Sequence, residues 1–159
     1  MFDQVNGLPV HALVLHAAVV FVPLLALVSV VYAVVPRWRP RVGWAAALLA
    51  IAAPVTVWVA VESGEQLYDR LVQQGMRGPI LGILDDHMNF GRLTLWFSVA
   101  LGVATLVMVF FTLGRSGRGL PRPAEVVLAI VVVALAAVAG YYVFRTGDSG
   151  AHAVWGSGS

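Results

Sequence analysis

Four long apolar runs dominate the chain, covering roughly residues 10–35, 43–61, 88–113 and 124–144. Each has about the 20 helical residues that cross a bilayer. Val, Ala and Leu fill them, and none shows the every-second-residue polarity of a barrel strand. The pattern therefore predicts four membrane-spanning α-helices. Breakers mark the joints. Pro36 and Pro40 flank a basic stretch with Arg37, Trp38, Arg39 and Arg41, and a second short connection at 114–123 carries Arg115, Arg118 and Arg122. The long polar segment, 64–83, opens with Gly64–Gln74, which reads as an amphipathic helix on the outer membrane surface, Leu67, Leu71 and Val72 towards lipid. Gly75, Gly78, Pro79 and Gly82 then break it. Pro23 and Pro54 lie mid-span and read as tolerated kinks.

The arginines orient the bundle. Six of them fall in the two short connections, and the other side holds Arg70, Arg77 and Arg145, with Arg92 just inside the third run. By the positive-inside rule both short loops are cytoplasmic and both termini are extracytoplasmic. Trp38, Trp44, Trp96 and Trp155 sit near span ends, as interfacial aromatics do. The expected fold is all-α, a single domain over 1–159 forming an integral membrane four-helix bundle in a bacterial inner membrane. The first ten residues carry Asp3 and no basic residue, which reads against a removable signal peptide.

Composition agrees: 60% of residues are hydrophobic and 11% charged, with a mean hydropathy of +0.87, where a soluble domain is about a quarter charged. With no cysteine, disulfides, iron–sulfur clusters, thiolate zinc sites and covalent haem attachment are excluded. No basic groove with interleaved aromatics is present, so nucleic acid is not an expected partner. No phosphate loop, nucleophile elbow or two-histidine zinc motif occurs, so the reading leans away from an enzyme.

The candidate chemistry is at the span ends. His11 and His16 open the first run, His87 opens the third and His152 follows the fourth. Both hairpins also finish alike, in Ser63-Gly64-Glu65 and Thr146-Gly147-Asp148, a faint two-fold pseudo-repeat. It predicts that His16, Glu65, His87 and Asp148 meet at one extracytoplasmic mouth. Five residues of helix turn about 140° and rise about 7.5 Å, so His11 and His16 do not share a narrow face; His16 is the deeper. Asp85 and Asp86 read as N-caps of the third helix, putting His87 on its first turn with Gly91 a turn deeper. Glu62 and Glu65 end the second span at the unfavourable pole of its dipole, so a cation is expected beside them: Arg92, Arg70 or a metal. Gly147-Asp148-Ser149-Gly150 reads as a turn. Polar groups in a bilayer call for partners. Two imidazoles on facing helices suit haem iron, with His16 and His87 axial, His11 a lesser candidate and Arg92 on a propionate. Alternatively His16, His87, Glu65 and Asp148 hold a divalent metal. Spacing does not choose between them, and a third alternative is an accessory subunit whose polar residues only satisfy one another.

The chain resembles the bacterial membrane family known as domain of unknown function 2231. The resemblance runs from Asn6-Gly7-Leu8-Pro9-Val10-His11 and His16, through Ser63-Gly64-Glu65 and His87 to Gly91, to Gly147-Asp148-Ser149-Gly150-Ala151 before Trp155. It implies a four-helix membrane domain with no established activity. Some members are fused to Rieske or c-type cytochrome domains, which implies redox company. His152 stands where many relatives carry a basic residue. The functional expectation is a small redox-associated membrane protein, b-type haem leading, with the lipid bilayer and a redox protein or second copy as partners.

Overall fold

The structure, a computed structural model, describes residues 4–5, 8–113 and 120–155, with side chains over 14–113 and 120–152. The His11 and Trp155 side chains, Arg115 and Arg118 lie outside the described ones. A two-residue antiparallel pair, β1 (Gln4–Val5) and β2 (Leu8–Pro9), precedes four helices: α1 (Val10–Val34), α2 (Arg39–Gln73), α3 (Ile80–Leu113) and α4 (Arg122–Trp155). All four are long and apolar enough to cross a membrane. They pack as a square, α1 on α2, α2 on α3, α3 on α4 and α4 on α1, while the diagonal pair α1 and α3 touch little.

Local chemistry sets the joints. A 3-10 turn at Pro36–Trp38 links α1 to α2, and Pro40 in the first turn of α2 needs no N–H partner. At the far end of α2, Gly75 adopts φ 91°. Its N–H bonds Val72 O at 3.0 Å while the Met76 N–H reaches Leu71 O at 3.0 Å, the paired bonds of a glycine C-cap. Gly78, at φ 97°, then turns the chain into α3.

Several expectations change. Segment 64–83 is no separate surface helix: α2 continues to Gln73, and α3 already starts at Ile80. Asp85 and Asp86 are therefore not caps, and His87 is two turns into α3. Tyr68 on α2 lies beside Asp85 on α3, so the two extensions run together. Glu62 and Glu65 accordingly lie within α2, not at its negative pole. Gly147 to Gly150 is helical, not a turn, because α4 runs to Trp155; Gly150 is held against His87, where a Cβ would come 3.0 Å from the ring. α2, α3 and α4 have 35, 34 and 34 residues, about 50 Å each against a bilayer core of about 30 Å.

Small residues set the bundle's waist. Ala46, Ala50 and Ala53 of α2 are buried, and Ala50 meets α3 at Gly102. A Cβ on Gly102 would stand 2.5 Å from Ala50 O, so only glycine permits this approach.

Candidate functional site

One end of the bundle gathers the start of α1, the late turns of α2, the early turns of α3 and the late turns of α4. A pocket of about 50 Å³ opens there. Leu15, Ala18 and Val19, Val57, Ala60 and Val61, Met88 and Val143 make its apolar wall. Glu65, His87, Thr94 and Thr146 are its polar side chains.

His87 is held by α4. Its Nδ1 lies 3.0 Å from Thr146 O and 3.1 Å from Ser149 Oγ. A carbonyl oxygen only accepts, so Nδ1 carries the hydrogen; in the uncharged ring Nε2 is then the acceptor. Ser149 Oγ donates to the same carbonyl at 3.1 Å, and so can accept from Nδ1. Below the ring, Thr94 Oγ1 and Thr146 Oγ1 stand 3.0 Å apart, both buried. Thr94 also reaches Phe90 O at 2.9 Å and Thr146 reaches Tyr142 O at 2.8 Å. Two hydroxyl protons serve three contacts, so one contact is always without a proton.

Glu65 is bridged to α3. Arg92 Nε and an η-nitrogen lie 2.9 and 2.7 Å from Glu65 Oε1. This pair sits at the rim, its side chains 54% and 38% exposed. Of the cations expected beside the α2 carboxylates, Arg92 is the one paired with Glu65. Next to it, the Arg145 guanidinium lies 4.8 Å from the Phe90 ring centroid.

A family model described as "Predicted membrane protein (DUF2231)" matches residues 7–159. The chain belongs to this family. No curated protein and no solved structure matches it. The family description and the four apolar helices make it a membrane protein of unknown function.

Not all of the expected site residues come together. His87 and Glu65 line the pocket, with Arg92 on Glu65. His16 does not line it: its side chain is exposed, on the α1 face shared with Val20, Leu24 and Leu27, while Leu15 and Ala18 turn inwards and the half-exposed Val19 borders the pocket. Asp148 is exposed too, paired along α4 with His152, whose Nδ1 lies 2.9 Å from Asp148 O and 3.6 Å from its carboxylate. Among the described residues no three His, Cys, Asp or Glu are grouped to hold a metal ion. A haem with His16 and His87 as axial ligands does not fit this arrangement, because the two rings do not face one cavity and the space takes only a few water-sized groups. Sequence reasoning missed Thr94 and gave Thr146 and Ser149 no role beside His87. Their signal was faint, since threonine and serine in a span commonly bond their own helix backbone.

Proposed function

We propose that this protein binds a small membrane-phase amphiphile at the His87 end of its bundle. The observation that carries the reading is a histidine held by α4 in the wall of an otherwise apolar pocket. A few precisely placed polar groups among apolar walls are what ligand sites use to orient their occupants. The pocket's volume limits the buried part to a small head, such as a hydroxyl and its nearest carbons. His87 Nε2 accepts the head's O–H, and Leu15, Val19, Val57 and Val61 enclose its carbons. Native mass spectrometry of protein released gently from its membrane tests this. A retained amphiphile is expected, and it should be lost from Ala60→Leu, which fills the pocket. Equal retention by both proteins would move the ligand elsewhere.

The charge pattern supports an orientation. Arg37, Arg39, Arg41 and Arg122 lie at the α1–α2 joint and the start of α4, at the other end, so the pocket faces away from the cytoplasm of a bacterial inner membrane. The chain has no cysteine; a single cysteine at Gln74 should react with an impermeant maleimide added to intact cells stripped of their outer membrane. Labelling only after lysis would invert the topology.

The redox reading keeps one supporting feature, since a carbonyl-anchored Nδ1 is how proteins orient a metal-binding imidazole. A reduced-minus-oxidised spectrum with Soret and α-bands, lost in His87→Ala, would favour it over the amphiphile. Elemental analysis plays the same part for a divalent metal.

A further inference from the structure

We infer that Glu65 and Arg92 set the charge selectivity of this pocket: it takes an uncharged, hydroxyl-bearing head and turns away fatty-acid carboxylates. The inference rests on the pocket reading above. Glu65 is the only carboxylate among the lining residues, and His87 lines the same cavity. Its Oε1 accepts from both Arg92 nitrogens, at 2.9 and 2.7 Å. The arginine at the rim, which would otherwise attract an anionic head, is therefore already engaged by an internal carboxylate. A ligand carboxylate would have to compete with Glu65 for Arg92 while lying beside Glu65's own negative charge. Like charges brought together at a binding surface are strongly disfavoured. An alcohol meets neither obstacle. It needs only an acceptor and an apolar wall, and His87 with Leu15, Val19, Val57 and Val61 supplies both.

The exposure of the pair sharpens the argument. With side chains 54% and 38% exposed, it contributes little to holding α2 against α3. A role in selecting ligands is one that such a pair can fill, because charges near an entrance act on what approaches more than on folding.

The test compares three probes with the same twelve-carbon chain: dodecanol, laurate and dodecylamine. Each displaces a fluorescent long-chain alcohol from the full-length protein in nanodiscs of zwitterionic lipid, corrected for partitioning into empty discs. The wild type should bind dodecanol at least about tenfold more tightly than laurate, the factor that 1.4 kcal/mol represents. E65Q should narrow that gap by about tenfold, through tighter laurate binding, with dodecanol little changed. R92Q should shift in the opposite sense, widening the gap and tightening dodecylamine. Equal wild-type affinities for dodecanol and laurate, or an unchanged ratio in both variants, overturn the selectivity while leaving the pocket as a binding site. Failure of the wild type to bind any of the three overturns the pocket reading and this inference with it.

Discussion

At the Tyr32 end of the bundle polar side chains reach across the diagonal; at the His87 end they tie α3 to its neighbours α2 and α4. Tyr32, wholly buried, bonds Thr112 at 2.6 Å, and Thr105 donates to Ser29 at 2.9 Å. Both bonds join α1 to α3 along the diagonal, where the helices otherwise meet little. Arg39 completes the closure. It donates to Tyr32 O and Ala33 O, the free carbonyls at the end of α1, and pairs with Glu125 of α4. Its guanidinium also lies 5.6 Å from the Tyr32 ring centroid. At the other end His87 and Thr94 bond to α4, and Arg92 to α2, each a neighbour of α3 in the square. The pocket lies at the end where these bonds run between neighbouring helices. The same residue types can close a membrane bundle or leave space in it, depending on which helix holds the partner.

The largest effect that separates the two ends is Arg39→Ala. It leaves Glu125, only 28% exposed, without its cation and uncaps α1. Breaking a buried pair costs about 3–5 kcal/mol; with this partial exposure we expect about 2–3 kcal/mol lost in a reversible denaturation in micelles. Arg92→Ala should cost no more than about 1 kcal/mol. Equal losses would erase the distinction between a closed and an open end. Gly102→Ala comes next: forcing α2 and α3 apart at the waist should cost about 1–3 kcal/mol by the same assay. Gly91→Ala, where a Cβ would meet Val61 at an ordinary 3.7 Å, should change stability by less than about 0.5 kcal/mol. The hydroxyl bridges contribute less than the Gly102 waist: Ser29→Ala should cost about 0.6 kcal/mol, the average found for polar contacts within membranes. Gly150→Ala is expected to leave stability nearly unchanged yet move the His87 imidazole resonances, because the new methyl reaches the ring.

The four spans and their order are legible in the sequence because a run of about 20 apolar residues has few other uses. Glu65, His87 and Arg92 are legible for a related reason, as charged or titratable groups at the ends of those runs. The direction of His16 is not. In a bilayer the core-facing and lipid-facing sides of a helix are both apolar, so Leu15 and His16 stand in indistinguishable surroundings although only Leu15 reaches the pocket. The lengths of α2 and α4 are hidden as well. Ser63-Gly64-Glu65 and Gly147 to Gly150 carry turn-like composition, and their helical state is supported by contacts distant in sequence, among them Tyr68 with Asp85 and Gly150 with His87.

The most direct test is nitrogen NMR of the histidine rings in nitrogen-labelled protein, assigned by His87→Gln and titrated with dodecanol in nanodiscs. The account predicts a hydrogen on Nδ1 of His87. It also predicts that its Nε2 signal shifts saturably as the alcohol binds, while those of His16 and His152 stay in place. A hydrogen on Nε2 of the uncharged ring, or a His87 signal indifferent to the alcohol, would contradict it.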